Sequence, residues 1–141
     1  MNENQSERSC KEYRELAVQA RTLIIETLPV EESDEFSVML GYQGFFMQIV
    51  FSNVYPLIIL NMARQLNHAP GKGDARIIYI LNMNDLLGSH TVNPESRIYL
   101  YRTVRHLDKG FSKKRLLEIL EYSAGEANQA YNQLERLEAR K

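Results

Sequence analysis

The sequence contains few of the residues that usually mark a catalytic or metal site. Its 141 residues include one cysteine, three histidines and no tryptophan. With Cys10 as the only cysteine, an internal disulfide is excluded, and a reducing cytoplasm fits best. His68, His90 and His106 do not stand at ligand spacing with carboxylates on one element, whereas a zinc site needs three or four ligands. We therefore expect no catalytic residues, no bound metal and no cofactor.

Motifs for phosphate and acyl chemistry are also missing. The stretch "PGKGDAR" places glycines and a lysine at a helix start, but the phosphate-binding pattern GxxxxGK[ST] is absent. No GxSxG nucleophile pattern occurs either. These absences favour a chain that is not an enzyme.

No long hydrophobic run is present. The longest aliphatic run, Leu57 to Leu60, is far shorter than the roughly 20 residues that a membrane-spanning helix needs. The first residues, "MNENQSERSCKEY", lack the basic and apolar regions of a secretory signal. We expect a cytoplasmic protein without a membrane partner.

Charge of one sign is concentrated in a single segment. Residues 97–115 hold seven bases and one acid, Asp108, whereas residues 1–35 hold nine acids and four bases. Most such runs are solvated faces with local ion pairs. The alternative is that the basic segment contacts a charged partner such as nucleic acid.

The order of patterns predicts an α+β fold with a mostly antiparallel sheet of three to five strands. An N-terminal helix over 10–28, a middle helix and a long C-terminal helix would pack on this sheet. In the strand "FFMQIVFS", Phe45, Met47, Ile49 and Phe51 form a wholly apolar set and should face the core. We expect a single domain over 1–141, with residues 1–9 disordered and the core at 36–137.

Two segments in the middle of the chain are harder to assign. Residues 57–66, "LIILNMARQL", fit either a strand or a helix, and their β-branched isoleucines favour a strand. The middle helix should begin with Asp74 as its N-cap and end at Gly88. Its buried side should carry Ile77, Ile78 and Leu81.

A candidate binding face lies on the strand "RIYLYRTVRH". Tyr99, Tyr101, Thr103 and Arg105 alternate along it, with Arg97 at its start. We expect the opposite set, beginning with Ile98 and Leu100, to face the core. The exposed set would then be a solvated strand face, a peptide-binding face, or a platform that stacks bases and pairs phosphates.

The final helix carries a seam of small and apolar residues at heptad-like spacing. Its members, Leu116, Leu120, Ala127 and Leu134, are separated by four, seven and seven residues, which are sums of alternating steps of four and three. The spacing fits packing on the chain's own sheet or a homodimer seam.

Three segments carry a resemblance to a known family: "YILNMNDLLG" closing a helix, "IYLYRTVRHLD" as a strand, and "ILEYSAGEANQAYNQLERL" in the last helix. With the preceding strands "FFMQIVF" and "LIILNMAR", the chain resembles the YbjN-type domain, which shares its fold with type III secretion chaperones. The resemblance implies a small, often dimeric α–β fold that binds proteins without catalytic residues.

Two functions follow as expectations. The first is a non-enzymatic, chaperone-like or regulatory module that binds a protein or peptide as a homodimer. The alternative is a nucleic-acid-associated regulator that uses the basic segment 97–115.

Overall fold

The computed structural model describes residues 3–52 and 54–139. It confirms the α+β class, with three helices and a sheet of six strands, one more than the upper number expected. In chain order the elements are α1 (Glu3–Thr27), β1 (Glu32–Ser33), β2 (Ser37–Tyr42), β3 (Phe45–Phe51), β4 (Leu57–Gln65), α2 (Lys72–Asn84), β5 (Gly88–Asn93), β6 (Ile98–His106) and α3 (Lys113–Ala139).

The sheet is antiparallel throughout, with the order β1-β2-β3-β4-β6-β5. The two-residue turn Gln43-Gly44 joins β2 to β3, and both residues have positive φ, as the tight hairpin turns that match strand twist require. Residues 57–65 form a strand, which resolves the ambiguous segment in the expected direction.

All three helices pack on one face of the sheet. Helix α1 contributes Ala17, Ala20 and Ile24 to the core, and α2 packs against β5 and α3. Helix α1 begins at Glu3, seven residues before the predicted start, so residues 3–9 are helical rather than disordered; residues 1 and 2 lie outside the described part. The set Phe45, Met47, Ile49 and Phe51 faces the core as predicted.

Helix α3 packs on the sheet of its own chain. Every residue of the predicted seam is buried there: Leu116, Leu120, Ala127 and Leu134. Two small residues between the seam positions, Ser123 and Ala130, are also fully buried and let the helix approach the sheet closely. The homodimer interpretation of this seam is therefore wrong.

The ends of α2 differ from the prediction. Gly71 is the N-cap, and Asp74 lies three residues later, where its carboxylate accepts the Gly71 amide at 2.8 Å. The Asp74 carboxylate also contacts the buried His68 ring nitrogen Nε2 at 2.8 Å, which explains why it turns inward. The helix ends at Asn84, and Gly88 is the first residue of β5 rather than a helix cap.

Candidate binding surfaces

The tyrosine face predicted to be open is the interior face of β6. Tyr99, Tyr101 and Thr103 expose 0%, 0% and 1% of their surface, whereas Ile98 and Val104 on the opposite side expose 38% and 47%. The expected orientation of β6 is thus wrong. The candidate binding face cannot stack bases or receive a peptide, because its rings lie beneath the helices.

Hydrogen bonds to the hydroxyl groups make this burial possible. The Tyr99 hydroxyl lies 2.6 Å from His90 Nδ1, and the Tyr101 hydroxyl donates to Glu126 at 2.6 Å. Thr103 donates to the Leu87 carbonyl at 2.7 Å. When the hydroxyl of a buried tyrosine has a hydrogen-bond partner, the free-energy cost of removing that hydroxyl from water is small. The apolar ring can then contribute fully to the core.

The two arginines of the predicted face lie in different places. Arg105 is half-buried; its Nε donates to Thr103 at 3.1 Å, and its guanidinium lies 5.5 Å from the centre of the Tyr122 ring. Arg97 is exposed in the turn before β6, with a positive φ of 61°. The five residues therefore do not form one accessible surface.

A buried polar chain lies behind the tyrosines. His90, which is fully buried, contacts Tyr99 through Nδ1 and the Asp85 carboxylate through Nε2. If the neutral ring donates the Nε2–H hydrogen bond to the Asp85 carboxylate, its Nδ1 accepts a hydrogen bond from the Tyr99 hydroxyl. Asn82 clamps the His90 backbone with bonds of 2.7 and 2.8 Å. This series of hydrogen bonds through Asp85, His90 and Tyr99 connects the end of α2 to β5 and β6. Because His90 is fully buried, no substrate can reach it.

We expect the protein to lose stability above pH 10. Burial, then neighbouring negative charge, raises the pKa of Tyr99 well above its ordinary value of 10.0, and burial followed by the Glu126 hydrogen bond raises that of Tyr101. Since each pKa is higher in the folded chain than in the unfolded chain, this stability is complete below pH 10 and is lost as the pH rises beyond it. The loss approaches about 1.4 kcal/mol per pH unit for each tyrosine.

The measurement is urea unfolding between pH 8 and 11.5, with tyrosinate absorbance followed in parallel. The Tyr99→Phe variant serves as the control and should show a shallower decline. Ionisation of all eight tyrosines near pH 10 in the folded protein would contradict the expectation.

The other face of the sheet is not covered by any described element. We call it the open face; its apolar side chains are Met39, Phe46, Val50, Leu57, Ile59, Ala63, Ile98, Leu100 and Val104. Phe46, at 54% exposed, is the most accessible of them. Since antiparallel sheets that face water normally carry polar residues there, this face is unusually apolar.

A row of polar side chains crosses the middle of the open face. Asn61 on β4 donates to Gln48 on β3 at 3.4 Å, and its oxygen accepts Nε of Arg102 on β6 at 2.9 Å. We call these three residues the polar ladder. The outward positions of β3, β4, β5 and β6 include no Asp or Glu, and the outward Glu32 of β1 lies four strands from Arg102, so these strands place no carboxylate beside Arg102 on this face.

A second exposed apolar surface lies on α2 and the turn after it. We call it the α2 patch, and its members are Tyr79, Ile80, Met83, Leu86 and Leu87, with exposures of 65%, 46%, 67%, 92% and 49%. The core side of the helix carries Ile77, Ile78 and Leu81, as predicted. A helix that is apolar on two sides normally has a second partner.

Two shallow grooves flank α1. They measure about 390 and 310 Å³, and Val18, which is 63% exposed, lines both of them. One groove also contains Phe111, and the other Phe36 and Phe51.

The basic segment does not form one surface. Arg102 lies on the open face, Arg105 points into the interior, and Arg115 pairs with Asp108 at 3.0 Å. Lys113 and Lys114 are exposed at the start of α3, on the other side of the sheet. This dispersal gives the nucleic-acid interpretation no continuous basic groove.

Metal and membrane chemistry receive no support from the described residues. Among them, no three His, Cys, Asp or Glu side chains converge in a way that could hold a metal ion. Of the helices described, none combines the length and the apolar character needed to cross a membrane.

Comparison with solved structures identifies the architecture. YbjN from E. coli superposes with a TM-score of 0.63 at 9% identity, over 87% of this chain and 91% of YbjN. The chain shares the fold of YbjN and the type III secretion chaperones. SycH of Yersinia pestis, a type III secretion chaperone solved with a fragment of YscM2, gives 0.56 at 11% identity, over 84% of this chain and 98% of SycH.

ExsC, solved in complex with ExsE, gives a TM-score of 0.56 at 14% identity, over 90% of this chain and 93% of ExsC. The resemblance predicted from the sequence is thus confirmed at the level of the fold. No family model and no curated protein sequence matches the chain.

The sequence contained signals for both exposed surfaces. In β6, the alternating set Ile98, Leu100 and Val104 is apolar enough to form either the buried or the exposed side of the strand. In α2, "RIIYILNMNDLL" is apolar around most of its circumference. Such a pattern is typical of a helix with contacts on two sides.

Proposed function

We propose that this chain is a non-enzymatic, chaperone-like module of the cytoplasm that binds a segment of another protein on the open face. The observation that carries the proposal is the open face itself, an uncovered and largely apolar sheet surface. Contiguous exposed apolar surface of this kind marks interaction sites in soluble proteins. The fold supports the same conclusion, because SycH and ExsC were solved with protein partners.

The test is a matched pair of valine substitutions. Val104 lies in the middle of the open face opposite Ile59, and Val18 lies on α1 between the two grooves. Both are exposed, at 47% and 63%, so replacement by aspartate should leave the fold intact. Wild-type, Val104→Asp and Val18→Asp proteins would be used for affinity capture from a native lysate of the source cells.

We expect protein partners that survive a high-salt wash with the wild type and Val18→Asp, and that disappear with Val104→Asp. Apolar contacts resist salt, whereas phosphate contacts weaken steeply with it. Equal recovery with Val104→Asp would contradict the proposed site. Nucleic acid that is held at low salt and released at high salt, detected by the ratio of absorbance at 260 and 280 nm, would contradict the proposed function.

We further propose that the protein is a homodimer formed through the α2 patch. Two copies of the patch can pair across a two-fold axis, where each surface meets its own equivalent. The open face is less suited to this role, because a two-fold axis at the middle of β6 would bring two Arg102 guanidiniums together, while the outward Glu32 of β1 lies four strands away. This assignment replaces the seam on α3.

The dimer is tested by light scattering coupled to size exclusion. We expect twice the chain mass of 16.4 kDa for the wild type and a single chain mass for Leu86→Glu. Leu86 is 92% exposed, so a charge there disturbs an interface rather than the fold. Leu117→Glu on α3, where the leucine is 40% exposed, is the matched control and should remain dimeric. A dimeric Leu86→Glu protein would place the interface elsewhere.

A further inference from the structure

The inference concerns Arg102, a full positive charge on the open face, which the outward positions of β3 to β6 share with no other arginine or lysine. Arg102 is the midpoint of β6, between Leu100 and Val104 on the same face. Its strand is flanked on both sides, by β4 and by β5. A partner segment that covers the apolar side chains of β4 and β6 therefore also covers this guanidinium.

The guanidinium is held in place but is not neutralised. Among the described residues, its hydrogen bond runs from Nε to the Asn61 side-chain oxygen at 2.9 Å, and no carboxylate lies within ion-pair distance. Asn61 is itself fixed through its bond to Gln48. The polar ladder thus uses one edge of the guanidinium for positioning and leaves its two terminal amino groups available.

Covering such a group with an apolar segment is unfavourable. A charge removed from water without a partner costs more than the surrounding apolar contacts return, so a neutral segment is disfavoured. A carboxylate accepts hydrogen bonds from both terminal amino groups and satisfies the charge. Nucleic acid does not fit, because one guanidinium among apolar side chains offers no track for successive phosphates.

We propose that the partner is a linear protein segment in which one Asp or Glu, flanked by apolar residues, pairs with Arg102 on the open face. The inference rests on the proposed function and specifies the chemistry of its partner. A second copy of this chain does not supply that carboxylate at the same position, since a two-fold axis through the middle of β6 would set two copies of Arg102 against each other.

The probe is a random 12-residue peptide library displayed on phage and selected on the wild-type protein, with a known peptide-binding domain selected in parallel. We expect the recovered peptides to combine apolar residues with a central Asp or Glu. Replacing that acid by alanine, or making Arg102→Gln in the protein, should each weaken binding by about 30-fold, as for truncation of one member of a covered charge pair.

A double-mutant cycle isolates the pair. If the carboxylate contacts Arg102, the alanine peptide should bind Arg102→Gln no more weakly than it binds the wild type. Exchanging the charges, with Lys in the peptide and Arg102→Glu in the protein, should restore part of the affinity. Lys114→Glu, an equal charge change at an exposed site on α3, is the control and should leave the affinity unchanged.

The outcomes separate this inference from the proposed function. Peptides that are lost with Val104→Asp but do not depend on Arg102 would overturn the inference and leave the open face as the binding site. Peptides insensitive to both substitutions would overturn both statements. Failure to recover any peptide, while the parallel domain yields binders, would also count against both.

Discussion

Replacement of Gly88 by alanine is expected to lower the free energy of unfolding by about 3 kcal/mol. A methyl group at this position would overlap the ring of Tyr101, which packs directly against the Gly88 backbone. That ring is fully buried and its hydroxyl is bonded to Glu126, so it cannot move aside without losing core contacts. Overpacking of this kind typically costs 1–3 kcal/mol or more. Urea unfolding followed by circular dichroism measures the change.

Gly125→Ala is the matched control. Gly125 lies inside α3, and a methyl group there would meet no atom within 4 Å. Because glycine weakens a helix interior, this substitution should raise the free energy of unfolding by up to about 1 kcal/mol. The same chemical change should therefore have opposite effects at the two sites. A Gly88→Ala protein as stable as the wild type would mean that β5 and Tyr101 are less tightly packed than the structure shows.

The parts of the fold that could be predicted are those in which one side chain set is much more apolar than the other. Strand β3 is the clearest example, since its inward set from Phe45 to Phe51 is wholly apolar and its outward set includes Gln48. Helix α3 was recognisable for a similar reason. In both cases the local pattern contained enough information to assign the element and its buried side.

Strand β6 could not be oriented in this way, because both of its sets contain large side chains. The deciding interactions come from distant residues: Tyr99 is satisfied by His90, and Tyr101 by Glu126. Periodicity within one strand does not reveal hydroxyl partners on other elements. For this reason the predicted binding face proves to be the buried side of β6, and the side predicted to be buried belongs to the open face.

The α3 seam illustrates a second limit. Spacing of three and four residues shows that a helix has an apolar side, but not which surface covers that side. The cover turned out to be the sheet of the same chain. In α2, the informative feature is the number of apolar residues around the helix. There are more of them than a single packed side can bury, which indicates a second apolar surface.

Removal of the His90 ring, in His90→Ala, is expected to lower the free energy of unfolding by about 3–5 kcal/mol, through a cavity and through polar groups left without partners. The substitution leaves a cavity beside Tyr99 and Tyr101, whose rings lie 5.9 and 5.3 Å from the imidazole. It also leaves the Tyr99 hydroxyl and the Asp85 carboxylate without their partner. Thermal and urea unfolding measure the loss, and His106→Ala, at an exposed position, is the control with little expected effect.

A double-mutant cycle with Tyr99→Phe separates the hydrogen bond from the cavity. If the Tyr99 hydroxyl needs His90, adding Tyr99→Phe to His90→Ala should cost less than Tyr99→Phe alone. Additive losses would show that the two groups contribute independently.

The position of His90 also connects stability to the proposed dimer. Its ring and backbone hold Asp85 and Asn82, which border the α2 patch at Met83 and Leu86. Loss of these bonds should loosen the end of α2 more than the sheet, so amide hydrogens of residues 79–85 should exchange faster in His90→Ala while those of β3 and β4 remain protected.

Because a flexible patch must be ordered on association, the variant should also dimerise more weakly. Uniformly faster exchange across the sheet would instead show that His90 stabilises the whole fold. It would then contradict a specific effect of His90 on the α2 patch and on dimerisation.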